Sequence, residues 1–190
     1  PDGGLFIPKN IKIYNEDEIK KLSGLSYIEL ATEIIFNFCS TDIKKTNLKN
    51  LVQKSYKSFS SEEVIKINKI GDINLVELYH GPTLAFKDIA MQVLGNLYDE
   101  LKVSAYKTVN IIVATSGDTG SAAIAALNNR KNINVFVLHP DNKISKIQRK
   151  IMTTIGSDNI YNVAIKGSFD DCQKIVKEMF SENSFREKIN

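Results

Sequence analysis

The sequence predicts an α/β fold in which a parallel β-sheet is flanked by helices. After about residue 103, short apolar, β-branched runs alternate with stretches of helical periodicity. The first run, Val109–Ala114, is apolar except for Asn110, which is typical of a strand buried on both faces of a sheet. A repeated strand–helix–strand order requires crossover connections, so the strands are expected to be parallel.

The part of the chain before this alternation is predicted to be mainly helical. Apolar residues recur at helical spacing over residues 28–38, and residues 51–59 are expected to continue the helical region. A strand is predicted over residues 73–79, after a turn at Gly71. A helix is predicted over residues 88–101, with four apolar side chains on one side: Ile89, Val93, Leu97 and Leu101.

The strand at Val109–Ala114 is followed, in prediction, by a helix, a strand, a helix, a strand and a last helix. The expected ranges are 119–128, 135–138, 144–155, 161–165 and a helix that begins after Ser168. The middle helix carries an isoleucine stripe: Ile144, Ile147, Ile151 and Ile155. Ser168 and Asp171 have the spacing of a capping box. The last helix is expected to bury Cys172, Ile175, Val176 and Met179.

Length and composition indicate a globular chain without a strongly charged partner. The 190 residues suffice for one well-buried domain or two small lobes, and we expect an N-terminal domain over residues 1–102 and a small α/β domain over residues 103–190. The net charge of +3 comes from mixed basic and acidic side chains, so we expect neither nucleic acid nor a membrane as partner. No apolar stretch reaches the roughly 20 residues that cross a bilayer.

The two cysteines, Cys39 and Cys172, are predicted to be reduced core residues. They lie far apart and lack the spacing of metal ligands, so no metal site is expected. Reduced thiols are typical of a cytoplasmic protein, which is the location that we predict. The sequence does not define the oligomeric state, and a monomer is compatible with it.

A candidate Schiff-base lysine, Lys87, lies in the segment HGPTLAFKD at residues 80–88, between a predicted strand and a predicted helix. The Gly-Pro pair in this segment imposes a turn before the helix. An amine at such a junction forms a Schiff base if apolar neighbours such as Phe86 favour its neutral form and a carbonyl is held within reach. Without further context, Lys87 is a solvated surface charge and Asp88 a cap of the next helix. His80 is then a turn histidine whose ring bonds the backbone.

A candidate anion-binding loop lies in the segment ATSGDTGSAA at residues 114–123, between a strand and a helix. Free N–H groups and the positive end of the helix dipole bind anions at such a position. Gly117 and Gly120 let the backbone approach a ligand closely. The loop matches neither the G-x-G-x-x-G fingerprint nor a P-loop. The alternative is an ordinary connection in which Ser116 or Asp118 caps the helix.

Both segments resemble motifs of threonine synthases, which are fold-type II pyridoxal-phosphate (PLP) enzymes. The string ELYHGPTLAFKD at residues 77–88 is similar to the PLP-lysine motif of that family. The string TSGDTG at residues 115–120 is similar to its substrate loop, where many other fold-type II enzymes carry asparagine in place of Asp118. Residues 2–8, 143–156 and 167–173 also resemble segments of the family, so the likeness covers nearly the whole chain.

The resemblance implies that Lys87 carries PLP as a Schiff base and serves as acid and base. It also implies cofactor contacts from Phe86 and from Asp118, the latter near the 3-oxygen of the ring. The implied substrate contacts are His80, Thr83, Ser116, Gly117, Asp118 and Thr119. The expected reaction converts O-phospho-L-homoserine and water to L-threonine and phosphate, which makes the full-length protein a lyase of threonine biosynthesis.

Three alternatives remain open from the sequence. A threonine-synthase-like phospholyase would release 2-oxobutyrate and phosphate, and a non-catalytic homologue would keep the fold without catalysis. A serine/threonine dehydratase is disfavoured by the two complete motifs. The family's glycine-rich phosphate loop and the residue that meets the pyridine nitrogen have no match in the 190 residues. The chain is therefore expected to be an N-terminal portion that lacks the rest of the large domain and is inactive when isolated.

Overall fold

The computed structural model of the chain describes residues 6–101 and 108–189. These residues form eight helices and five strands. The elements are α1 (Glu16–Ser23), α2 (Tyr27–Cys39), α3 (Lys45–Tyr56), β1 (Lys66–Ile70), β2 (Ile73–Glu77), α4 (Lys87–Glu100), β3 (Val109–Ala114), α5 (Asp118–Leu127), β4 (Ile133–Pro140), α6 (Lys146–Thr154), β5 (Ile160–Ile165), α7 (Phe169–Ser181) and α8 (Asn183–Ile189). The predicted domain boundary at residues 102 and 103 lies outside the described residues, as do residues 2–5 of the family-like segment 2–8.

The helices α2, α3 and α4 pack around the first hydrophobic core. Its buried members are Ile43, Leu48, Leu51, Val52, Tyr56, Val64 and Val93. The helix predicted over residues 28–38 is α2, and the helical region predicted over residues 51–59 is the end of α3 and the turn after it. The apolar spacing predicted these helices because it is the spacing of the side chains that face this core.

Strands β1 and β2 form an antiparallel hairpin around Gly71, which has a φ of 60°. The sequence predicted only β2, and it placed the end of that strand at residue 79 instead of Glu77. Strand β1 has the sequence KINKI, in which lysine and asparagine interrupt the apolar residues. Its side chains are mostly exposed, so no apolar face marked the strand in the sequence.

The second sheet is parallel with the order β3-β4-β5, which confirms the predicted α/β class. Strand β4 is central, and its residues Ile133, Val135 and Val137 are buried. Every residue of β3 is only half-buried. The expectation that Val109–Ala114 is buried on both faces is therefore wrong, because β3 lies at the edge of the described sheet.

Helices α5 and α6 cover one face of this sheet and close the second hydrophobic core. Its buried members are Ile124, Ala126, Leu127, Ile133, Val135, Val137 and Met152. The predicted isoleucine stripe on α6 is wrong at Ile147, which is 73% exposed. Met152 is the fully buried residue of this helix, because α6 turns that position and not Ile147 towards β4 and α5.

Helix α7 lies on the opposite face of the sheet. The capping box predicted from Ser168 and Asp171 is present. Cys172 is buried as predicted, whereas Ile175, Val176 and Met179 are only half-buried. An apolar groove of about 370 Å³ separates α7 from β3, β4 and β5, and Ile175 and Met179 line it instead of filling a closed core. Among the described residues, no helix has the length and apolar character needed to span a bilayer.

Acidification is expected to destabilise the chain through three capping boxes, those of α1, α2 and α7. In each box the N-cap residue donates hydrogen bonds to the carboxylate three positions later, and these bonds lower the pKa of that carboxyl below its ordinary value. The carboxyls are those of Glu18, Glu29 and Asp171. A lowered folded-state pKa contributes stability that is complete above the ordinary pKa of about 4 and is lost as the pH falls through the folded value.

The measurement is the free energy of unfolding in urea at a series of pH values. We expect it to be lower at about pH 3 than at about pH 6, and we expect the difference to shrink in the Asp171→Asn variant. A free energy that does not change over this range would contradict the prediction.

Candidate functional site

Lys87 is the first residue of α4 and follows the turn of the HGPTLAF segment. Its Nζ lies 4.6 Å from the centroid of the Phe86 ring, and the side chain is half-buried. Within the described residues, the ammonium group makes neither a hydrogen bond nor an ion pair. The amine thus lies at a helix N-terminus, in contact with an aromatic ring and with no carboxylate partner in residues 6–101 and 108–189.

The residue after the lysine, Asp88, holds the turn that precedes it. Asp88 is fully buried, and its carboxylate accepts hydrogen bonds from Thr83 N and Thr83 Oγ1, both at 2.8 Å. A Cβ on Gly81 would lie 2.4 Å from the Cβ of Asp88, so only glycine fits at that position. The expectation that Asp88 caps α4 is wrong, because the carboxylate reaches back to the turn, and α4 has no side-chain cap.

The ring of His80 is bonded to two other side chains. Its Nε2 lies 2.8 Å from Glu77 Oε2, and its Nδ1 lies 3.5 Å from Ser60 Oγ. The hydrogen bond with His80 lowers the pKa of the Glu77 carboxyl. Ser60 N also donates to the carbonyl oxygen of His80 at 2.9 Å. The histidine therefore ties the segment before the turn to residue 60, through side chains as well as through the backbone.

The loop between β3 and α5 is held by hydrogen bonds to the side chain of Thr115. Gly117 is the N-cap of α5 and has a φ of 142°, a conformation that favours glycine. Thr115 Oγ1 accepts hydrogen bonds from Gly117 N at 2.9 Å and from Gly120 N at 2.8 Å. The side chains of Ser116 and Asp118 do not cap the helix, so the prediction that one of them is the cap is wrong.

Part of the N-terminal turn of α5 remains open to a ligand. In the part of the chain that the structure describes, the N–H groups of Ser116, Asp118 and Thr119 have no hydrogen-bond partner. Ser116 and Asp118 are exposed, and Thr119 is half-buried. Unpaired N–H groups at the positive end of a helix dipole bind anions such as carboxylates. The side chain of Asp118 is engaged at one oxygen, because Gln148 Nε2 donates to its Oδ1 at 2.5 Å.

Helices α4 and α5 bring the lysine and the loop to the same end of a helix pair. A Cβ on Gly95 would lie 2.6 Å from the carbonyl oxygen of Ala126. Three residues beyond the end of α5, the Arg130 guanidinium bonds the side chains of Asn96 and Asp99, which follow Gly95 on α4. Since the contacts advance together along both elements, α4 and α5 run in the same direction. Lys87 and Asp118 both precede the first of these contacts by eight residues, about 12 Å of helix.

The residues at this end of the helix pair fit PLP. They offer a primary amine at Lys87 that no described carboxylate pairs with, an aromatic ring at Phe86 and a carboxylate at Asp118. The open N–H groups of the loop suit the carboxylate of an amino-acid substrate. Within the described residues, no cluster of three or more histidine, cysteine, aspartate or glutamate side chains could hold a metal ion. Reasoning from the sequence gave no role to Thr115 or Gln148. The signal that could have found them is that they lie inside the family-like segments 115–120 and 143–156.

Comparisons with known proteins agree with these features. A family model described as "Pyridoxal-phosphate dependent enzyme" matches residues 63–187, and one described as "Threonine synthase N terminus" matches residues 1–56. A threonine synthase from Pseudomonas aeruginosa is 43% identical over 185 residues, which are 97% of this chain and 39% of that protein.

Two solved structures are similar over nearly the whole chain. The PLP-bound threonine synthase from Brucella melitensis has a TM-score of 0.86 at 36% identity and covers 99% of this chain and 41% of its own. The threonine synthase from yeast has a TM-score of 0.84 at 41% identity and covers 97% of this chain and 39% of its own. The chain thus spans about two fifths of the length of these relatives.

Proposed function

Since the chain belongs to the pyridoxal-phosphate-dependent enzymes and matches the N-terminal portion of threonine synthases, we propose that the full-length protein makes L-threonine. The proposed reaction consumes O-phospho-L-homoserine and water and releases phosphate. The observation that carries the proposal is the parallel packing of α4 and α5, which puts Lys87 and the loop at residues 116–119 at one end of the pair. A cofactor amine and a substrate anion site have to lie side by side in such an enzyme.

We propose that Lys87 holds PLP as a Schiff base, with Phe86 and Asp118 beside the ring. When bound, PLP supplies an electron sink for the negative charge that develops on the substrate carbons. The Lys87 amine takes the proton from the substrate α-carbon and later returns protons to the product. The lack of a carboxylate partner among the described residues supports this role, since the amine is not held in an ion pair and is available to the cofactor.

The loop at residues 116–119 orients the substrate. The N–H groups of Ser116, Asp118 and Thr119 bind the substrate α-carboxylate, and Gly117 lets the backbone come close to it. A fixed carboxylate fixes the direction of the Cα–H bond relative to the lysine amine, which is the main benefit of positioning in such a step.

We propose that the side chains of His80 and Thr83 lie beside the substrate and contact it. The Thr83 hydroxyl donates to Asp88, and the His80 ring bonds Glu77 and Ser60. To donate a hydrogen bond to the substrate, the Thr83 hydroxyl has to give up its bond to Asp88, and the His80 ring has to give up one of its two bonds. Their hydrogen bonds also set the path of the chain into Lys87, and this contribution needs no such exchange.

The proposal includes the location and organisation of the protein. Cys39 and Cys172 are both free thiols, which supports a cytoplasmic location. We propose that residues 1–102 and 103–190 are two units that each contribute to the site, Lys87 from the first and the 116–119 loop from the second. A monomer is compatible with this arrangement.

Product analysis of the full-length protein tests the proposed function. We expect L-threonine and phosphate in equal amounts when the protein is supplied with PLP and O-phospho-L-homoserine. Release of 2-oxobutyrate with phosphate would assign the phospholyase reaction instead. A full-length protein that does not bind PLP would contradict both and would favour a non-catalytic homologue.

A further inference from the structure

Gln148 links the substrate loop to α6, which lies outside the two segments that hold the proposed site residues, 80–88 and 114–123. It lies on α6, three residues after the N-cap residue Ser145. Ser145 Oγ accepts from Gln148 N at 3.1 Å and donates to Gln148 Oε1 at 3.0 Å. These two bonds fix the side chain in one rotamer. They leave Nε2 as the free end of the amide, and this atom donates to Asp118 Oδ1 at 2.5 Å.

The orientation of this amide follows from the chemistry of its neighbours. A carboxylate only accepts hydrogen bonds, so the group that faces Asp118 has to be the NH₂ of Gln148. The carbonyl oxygen of the amide then meets the Ser145 hydroxyl, which can donate to it. Reversing the amide would place two acceptor oxygens against each other. A hydrogen bond to an ionised carboxylate is also stronger than one between neutral groups.

The same side chain covers the glycine that precedes Asp118. A Cβ on Gly117 would lie 2.4 Å from Gln148 Cδ and 2.5 Å from Gln148 Oε1. On its other side, Gly117 donates its N–H to Thr115 Oγ1. The loop is therefore held between the end of β3 and the first turn of α6, and Gln148 is the contact from α6.

We propose that Gln148 is a positioning residue for cofactor and substrate binding. Its bond occupies Asp118 Oδ1 and fixes the rotation of that side chain. Oδ2, which no described residue bonds, is then the carboxylate oxygen presented to a ligand. The inference deepens the proposed function and rests on it, since Asp118 and the loop are the groups that Gln148 holds.

The test uses two variants of the full-length protein, Gln148→Leu and Gln148→Glu. The apoprotein is titrated with PLP, and cofactor fluorescence gives a dissociation constant that does not depend on turnover. We expect Gln148→Leu to bind PLP about tenfold or more weakly, because the Asp118 carboxylate loses a charged hydrogen bond. We expect a similar or larger loss for Gln148→Glu at about pH 8, where two carboxylates face each other.

The dependence on pH separates positioning from simple packing. As the pH falls towards about 5, the introduced carboxyl of Gln148→Glu gains a proton and can again donate to Asp118. The ratio of its dissociation constant to that of the wild type at the same pH is expected to fall by several fold. A purely structural defect would leave the ratio unchanged. Gln53→Glu on α3, where the side chain is exposed, is the matched control and should bind PLP like the wild type at every pH.

Two outcomes would overturn the inference. Dissociation constants equal to the wild-type value in both variants would show that Gln148 has no part in shaping the site. A ratio for Gln148→Glu that does not change with pH would show that Gln148 only packs against the loop and does not position Asp118. Either result leaves the proposed function intact, provided that the wild type binds PLP and makes threonine. If the wild type does neither, the proposed function fails and this inference fails with it.

Discussion

Replacing Lys87 with alanine in the full-length protein is expected to lower threonine formation by about a thousandfold or more. The variant loses the amine that we propose to hold the cofactor and to transfer the protons. The measurement is the release of L-threonine and phosphate at saturating O-phospho-L-homoserine, with excess PLP. Near-normal threonine production by Lys87→Ala would contradict both the site and the function.

Lys45→Ala is the matched control for this variant. Lys45 is the first residue of α3, and its Nζ lies 5.7 Å from the Phe36 ring, so its surroundings resemble those of Lys87. It differs in having an ion pair with Glu33 at 2.5 Å. We expect Lys45→Ala to keep wild-type turnover, because the Lys45 amine is held in an ion pair with Glu33 and has no proposed role in the site.

Chemical trapping locates the same amine without measuring turnover. The protein is incubated with PLP and reduced with borohydride, and the adduct is mapped by peptide mass spectrometry. A single adduct on Lys87 is expected in the wild type and no specific adduct in Lys87→Ala. Applied to the 190-residue chain, selective labelling of Lys87 would show that the described half of the site suffices to select the amine. Scattered labelling of that chain alone would show that this selection needs residues outside it.

The order of strands and helices in the second half of the chain was predictable because burial imposes a period on the sequence. Strand β3 was predicted with its observed bounds, and α5 and β5 within one residue at each end. The period does not show whether a strand has neighbouring strands on both of its edges or on one only. Val109–Ala114 was therefore predicted to be buried on both faces, although its residues are only half-buried and it lies at the edge of the described sheet, beside the central strand β4.

The site was predictable only where a motif is contiguous. Residues 80–88 and 114–123 each lie in one turn and one helix start, so their sequence reports their local shape. The contact between Asp118 and Gln148 joins residues 30 positions apart, and it exists because α6 packs beside α5. Thr115 escaped notice for a different reason, since a threonine at the end of a strand is common and its hydrogen bonds depend on the turn at Gly117.

Asp88→Ala is expected to lower the free energy of unfolding by about 3 kcal/mol. The substitution removes the acceptor of two hydrogen bonds and leaves the N–H and hydroxyl of Thr83 without a partner in a buried position. Each buried donor left unpaired costs about 1–3 kcal/mol, and the vacated space adds a smaller penalty. Urea unfolding of the 190-residue chain measures the change, and Asp88→Asn, which keeps one acceptor oxygen and the shape, is expected to lose less.

Asp170→Ala, at the equivalent position of another helix, is the control for the effect of a carboxylate on the helix dipole. Asp170 is the second residue of α7, as Asp88 is the second residue of α4, but its side chain is exposed. An aspartate that acted only on the helix dipole would contribute about 0.3–1 kcal/mol at either position, so Asp170→Ala is expected to stay within that range. Equal losses for Asp88→Ala and Asp170→Ala would contradict the proposed hold on Thr83. A much larger loss at Asp88 would show that this carboxylate stabilises the turn before Lys87 through its two bonds to Thr83, and not only through the dipole of α4.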